Sequence, residues 1–425
     1  MLSGGSDCSL PRKTSQRSKR HIVNAHFYDA EMYADMTEKT VPYQATLEVL
    51  EHLIAFPTVS TESNLDLIDF AEQHLIRSGF STHRLPDPSG RKAGLLARMG
   101  PDGPGGVMLS AHSDVVPVKG QDWTRSPFQL THDGGRLYGR GTTDMKGFLA
   151  SMLSLAARAA TVPLQRPLML VISYDEEVGC AGIRQMLPGY TALGWQPELC
   201  IVGEPTEMRP AIGHKGKASF LATCHGTAGH SSLAPRYVNA LHLAAEFIMT
   251  LRRLQKDYAA SAIQDAGYDV PYSTVHAGRM HGGTALNIVP DHAQIEFELR
   301  HLPADAPDHF LSRLQQETEG IVRSFRAEEG AAKIEIERIG SYPGLQIAAD
   351  HRAVRRVAAI SGSHETIKVA YGTEAGYFAQ LGIPTVICGP GNMEGQGHKP
   401  DEYITVAQLG SCDQMMDRIL SESGA

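Results

Sequence analysis

No C-x-x-C pair occurs in this chain, and its six cysteines (Cys8, Cys180, Cys200, Cys224, Cys388 and Cys412) are scattered along it. That spacing offers neither a thiolate metal knot nor a disulfide framework, and it suits buried free thiols in a reducing compartment. No apolar run approaches the ~18 residues of a bilayer-spanning helix, so no membrane segment is expected. Basic residues are not in excess: 39 Lys and Arg face 47 Asp and Glu, a net charge of -8 that argues against a nucleic-acid partner. The N-terminal stretch "MLSGGSDCSLPRKTSQRSKRHIV" lacks the apolar centre of a secretory leader and has no helical or strand periodicity. Residues 1–40 read as a flexible extension, or translation begins downstream at a residue such as Met36. The expected location is the cytoplasm.

The 425 residues exceed one ordinary core and call for two or three domains. "YQATLEVLEHLIAF" and "NLDLIDFAEQHLIRSGF" carry apolar residues at helical spacing. Four later runs, in "GVMLSAHSD", "PLMLVISYDEE", "ELCIVGEP" and "PTVICGPG", are strand-length and continuously apolar, as strands buried on both faces of an α/β sheet must be. "MKGFLASMLSLAARAA", between the first two, suits a crossover helix. Between Gly216 and Gly340 the pattern changes to strand, helix, strand, strand, helix, strand, the order of a ferredoxin-like unit. The expected architecture is α/β: a mostly parallel central sheet flanked by helices, with an inserted ferredoxin-like α+β lid. Catalytic parts over 41–215 and 341–425 would flank the insert, 216–340.

Histidine and acidic residues collect where the apolar runs stop, which is where open α/β sheets bind ligands. They are His112, Asp144, Glu176 with Glu177, Glu204 and His398. Singly, each has an ordinary explanation as a surface histidine, a solvated turn or a helix cap. Together they form an imidazole and carboxylate set without thiolate, the usual donors of a catalytic zinc. Three carboxylates (Asp144, Glu177, Glu204) and a hydroxide would balance two divalent ions, which leaves Glu176 free to act as a base. Asp114, two residues beyond His112, has the parity to orient that imidazole.

These segments, with "GRGTTDMKG", "HGTAGHSS", "GGTALNIVPDHAQIEFELRHLP" and "GTEAGYFAQLGIPTVICGPGNMEGQGHKPDEYI", resemble the dinuclear zinc metallopeptidases, a family of deacetylases, desuccinylases and carboxypeptidases. The resemblance runs from about Tyr43 to the C-terminus. It implies one metal on His112 and Glu204, the other on Glu177 and His398, and Asp144 as the bridge, often followed by a cis peptide. It also implies Glu176 as general base towards a metal-held water, with Asp114 supporting His112. His230 would reach a partner subunit's site to steady the oxyanion, and Asn287, Arg300, Thr373 and Glu374 would contact substrate. Zinc is the expected metal, with cobalt or manganese as alternatives. A homodimer acting on a small N-acyl amino acid is expected, N-acetyl-ornithine first, because a carboxylate at Glu374 would attract a δ-ammonium. A desuccinylase or dipeptidase of the same family is the alternative. Two further rivals are a binding protein without catalysis and a serine hydrolase using Ser231 or Ser232, although no G-x-S-x-G elbow surrounds those serines.

Overall fold

The computed structural model describes residues 42–325 and 331–425; the expected extension over 1–40 lies outside the described residues but for its boundary. The chain opens with two amphipathic helices, α1 (Gln44–Ala55) and α2 (Leu65–Arg77), and an edge pair of strands, β1 (Ser81–Pro86) and β2 (Ala93–Met99). β3 (Val107–His112) follows, then the short β4 (Thr131–Asp133) and β5 (Arg136–Tyr138). Helix α3 (Gly147–Ala159) crosses to β6 (Leu168–Ser173), and α4 (Ala181–Ala192) leads to β7 (Leu199–Pro205) and β8 (Ala211–His214). Helix α3 is buried on nearly every side, packed among α1, α2 and a C-terminal helix, which is why its sequence is apolar all round.

The insert is a second layer system. β9 (Gly216–His225) is followed by the short β10 (Gly229–His230), helix α5 (Ala240–Ala259), β11 (Thr274–Gly282), the short β12 (Ile288–Val289), β13 (His292–His301), helix α6 (Pro307–Ser324) and β14 (Lys333–Tyr342). The four long strands pair antiparallel in the order β11-β13-β9-β14. Alternate residues of β9 and β13 are buried, and Phe220, Phe247, Phe297 and Phe310 fill the space beneath the helices. Asn239 caps α5 by accepting from the backbone N–H groups of Leu241 and His242. The short β10 and β12 pair with each other outside this sheet.

The chain then returns through β15 (Leu345–Gln346), α7 (Arg352–Ser361), β16 (Ile367–Val369), α8 (Ala375–Gln380), β17 (Thr385–Gly389), β18 (Tyr403–Thr405) and α9 (Val406–Gly424). The main sheet has nine strands, with β1-β2-β6-β3-β7-β17-β8-β15 in line and β16 beside β8. Its centre, β6-β3-β7-β17, is parallel, and the four continuous apolar runs of the sequence are those four strands. Both margins are antiparallel except that β16 runs parallel to β8. β18 pairs with β5 and β5 with β4, a small sheet that ties the returning chain to the segment ahead of Asp144. Among the described residues no helix is long and apolar enough to cross a membrane.

Close packing of α3 on the sheet sets the height of β7. A Cβ added to Gly203, one residue before Glu204, would lie 2.0 Å from the Phe148 ring of α3. Gly203→Ala is expected to destabilise the protein by about 1–3 kcal/mol through overpacking. Urea denaturation measures it; an unchanged midpoint would show that α3 yields.

Candidate metal centre

His112 is the last residue of β3 and Glu204 the sixth of β7, so the parallel centre of the sheet delivers both to one edge. Asp144 lies in the turn Thr142–Lys146 that leads into α3, with extended backbone (φ -123°, ψ 94°) and a cis peptide to Met145. His398 stands in the loop before β18, in left-handed backbone with φ 58°. These elements bring the five expected ligands together. Asp144 Oδ1 is 3.0 Å from His112 Nε2, and its Oδ2 is 3.0 Å from His398 Nε2. Glu204 Oε1 is 3.8 Å from His112 Nε2, and Glu177 Oε1 is 3.1 Å from His398 Nε2. Two groups result, His112 with Asp144 and Glu204, and Asp144 with Glu177 and His398, each with donor atoms within 4.8 Å of one another. Asp144 belongs to both.

The electrostatics fit two cations. Burial pushes the carboxyls of Glu176 and Glu204 well above their usual range, and neighbouring carboxylates add to the shift. Burial, then the charge of Asp144, raises Glu177 to about 7. Burial would raise Asp144 too, but hydrogen bonds from His112 and His398 outweigh it and hold that carboxyl low. So many acids share a site of low polarity only with positive charge among them, and a His and carboxylate set without thiolate suits a catalytic divalent ion.

The surroundings differ from expectation at Asp114. His112 Nδ1 lies 2.9 Å from the carbonyl oxygen of Asp114 and 3.6 Å from its carboxylate. A carbonyl only accepts, so Nδ1 donates to it while Nε2 faces the acids. The Asp114 carboxylate instead accepts from the backbone N–H groups of Glu176 and Glu177 at 3.1 and 3.3 Å, and from Ser60 Oγ at 2.7 Å. It braces the turn that presents both glutamates. Glu176 is nearly buried, and its Oε1 lies 3.3 Å from Cys180 Sγ.

The expected substrate contacts are placed unevenly. Thr373 and Glu374 are both buried at the start of α8. Thr373 Oγ1 accepts from Ala375 N at 3.0 Å, and Glu374 Oε2 accepts from Ser110 Oγ of β3 at 3.4 Å. Burial raises Glu374 to about 7. Glu374 lies close enough to Glu176 and His112 for their charges to interact. Arg300 is partly exposed near the end of β13, its Nε donating to Glu298 at 2.9 Å and its Nη1 to Tyr342 OH at 2.7 Å. His230 and Asn287 are exposed together on the β10–β12 pair, where Asn287 O accepts from Ser231 N at 3.0 Å. His230 Nδ1 is 2.8 Å from Ser232 Oγ, and no described hydrogen bond or ion pair joins it to the ligand groups. Cys180, Tyr342 and Tyr371, whose OH donates to Pro205 O at 2.6 Å, were not singled out by sequence; nothing in their local patterns marks them.

A mixed sheet ending in two acid and histidine groups that share one aspartate defines a metal-dependent amidohydrolase. The family model for peptidase family M20/M25/M40 matches residues 108–422, and the chain belongs to that family. It is similar to acetylornithine deacetylase of Shigella sonnei (strain Ss046), 34% identical over 380 residues, covering 87% of this chain and 94% of the relative. Its fold is that of an M20 family metallo-carboxypeptidase from Sulfolobus solfataricus, with a TM-score of 0.70 at 20% identity over 89% of this chain and 99% of the other. A Bacillus subtilis protein described as a dinuclear metal-binding M20 peptidase matches with a TM-score of 0.63 at 17% identity, covering 89% and 97%.

Hydrogen bonds to Asp144 and Glu177 push His398 up to about 10, so without metal its ring is protonated at neutral pH. A ligating imidazole must be neutral. Metal uptake at pH 7 should therefore release protons, and affinity should rise with pH towards about 10. Calorimetry of metal-stripped protein in two buffers of different ionisation enthalpy reads this, and buffer-independent heats would contradict it.

Proposed function

We propose that this enzyme hydrolyses the amide bond of N-acetyl-L-ornithine to L-ornithine and acetate, a step of arginine biosynthesis, in the cytoplasm. The observation that carries the hydrolytic part is the Asp144 carboxylate, with one oxygen 3.0 Å from His112 and the other 3.0 Å from His398. The substrate rests on the likeness to acetylornithine deacetylase over 94% of that relative. His112 and Glu204 would hold one divalent ion and Glu177 and His398 the other, with Asp144 shared; zinc is the first choice, and cobalt and manganese suit the same donors. Bound there, the ions supply Lewis acidity that eases deprotonation of water and polarises the amide carbonyl.

The protein's own groups do the rest. Glu176 takes the proton of the attacking water and returns it to the leaving amine, a task its raised proton affinity suits. Cys180 and the Asp114 brace hold that carboxylate at the mouth of the site. Arg300, steadied by Glu298 and Tyr342, is the anchor for the substrate α-carboxylate. Residues 216–340 act as lid and dimerisation unit. Leu233, Leu286 and Ile288, close in sequence to His230 and Asn287, are exposed apolar residues, a surface suited to a second copy that would receive His230 in its own site. The five described cysteines are free and buried, which fits a reducing cytoplasm.

Glu176→Gln should lower kcat by about 10²–10⁴-fold with metal content unchanged; near-normal turnover would remove Glu176 from the mechanism. Chelation should abolish activity and metal re-addition restore it, with a serine-directed reagent without effect. Across N-acetyl-ornithine, N-succinyl-diaminopimelate and dipeptides, kcat/KM should be highest for N-acetyl-ornithine. A preference for a succinyl substrate or a dipeptide would instead mark a desuccinylase or dipeptidase of the same family.

A further inference from the structure

Two ligands of the second group come from segments far apart in the chain, Asp144 ahead of α3 and His398 ahead of β18. The polar network between those segments serves none of the roles assigned above. At its centre are Arg140 and Glu402, each 1% exposed, with Arg140 Nη1 2.6 Å from Glu402 Oε2. The other carboxylate oxygen of Glu402 accepts from two successive backbone N–H groups, Thr143 at 3.0 Å and Asp144 at 3.2 Å. Arg140 also donates through Nη2 to Gln121 Oε1, and its guanidinium lies 5.0 Å from the Trp123 ring centroid. Trp123 Nε1 donates to the same Gln121 oxygen at 3.0 Å. Gln121 Nε2 then donates to the carbonyl oxygen of His398 at 3.1 Å. The chain of contacts therefore begins on the backbone of one ligand and ends on the backbone of the other.

The His398 end needs bracing. His398 (φ 58°) and Asp401 (φ 53°) have left-handed backbone, which a non-glycine residue keeps only where neighbours enforce it. Thr124 holds Asp401 from the same loop, with N and Oγ1 at 3.0 and 2.7 Å from its carboxylate. A buried ion pair contributes little net stability. What it can fix is geometry, here of two backbones to which it is hydrogen-bonded.

We propose that Glu402, neutralised by Arg140 and linked through Gln121, is a positioning residue that sets Asp144 and His398 at ligand distance from each other. This rests on the two-ion reading above. Glu402 accepts directly from the backbone of the shared ligand Asp144, whereas of the two ligands Gln121 is hydrogen-bonded only to His398, so the two positions have different signatures.

The test titrates Zn²⁺ or Co²⁺ into metal-stripped full-length protein by calorimetry, with circular dichroism as the check on folding. Gln121→Ala, at a partly exposed side chain, should weaken one of the two metal equivalents about 10-fold or more and leave the other unchanged. Glu402→Gln should weaken both by about 10–100-fold. Unchanged affinity for both equivalents in Gln121→Ala overturns the proposal, even if Glu402→Gln fails to fold. Fewer than two equivalents bound by the wild-type protein would overturn the two-ion reading itself, and this proposal with it.

Discussion

A single carboxylate divided between two imidazoles is the constraint around which the catalytic layer is arranged. Asp144 is buried, and its charge is tolerable there only because His112 and His398 approach from opposite sides. To place them, the fold uses the stiff end of β3 for one and a left-handed loop residue for the other. Glu177 and Glu204 close the two groups from the ends of β6 and β7. With both faces of the parallel centre covered, polar side chains escape the core only at the strand ends. The site lies there for that reason.

The same logic explains what could be read from sequence. The four central strands are legible because burial on both faces leaves an unbroken apolar run, and the acids and histidines stand where each run stops. The order of the insert is legible because β9 and β13 alternate and α5 and α6 do not. Side-chain direction in irregular backbone is a different matter. The sequence around Thr373 and Glu374 does not show that one accepts from the Ala375 N–H and the other from Ser110 Oγ of β3. Parity linked Asp114 to His112 correctly, but through its carbonyl; the carboxylate was free to bind the Glu176 and Glu177 amides. Tyr342 and Cys180 left no trace because their contacts depend on tertiary packing alone.

The insert and the catalytic layer also meet through specific groups. Tyr342 ends β14, and its hydroxyl accepts from Arg300 on β13, so the arginine is aimed by a residue at the crossing back into the main sheet. Glu298 takes the other face of that guanidinium. An arginine with two fixed partners has lost most of its rotamer freedom, so if it anchors a carboxylate as proposed, part of the entropic cost of binding is met in advance.

The small sheet of β18 on β5 has a consequence for assembly. It joins the stretch that carries Asp144 to the stretch that follows His398, and the whole of residues 216–340 lies between them in the chain. During synthesis His112, Asp144, Glu177 and Glu204 leave the ribosome long before His398, so an emerging chain has one complete ligand group and one that lacks its histidine. On the two-ion reading proposed above, the second group would be complete only once β18 has paired with β5.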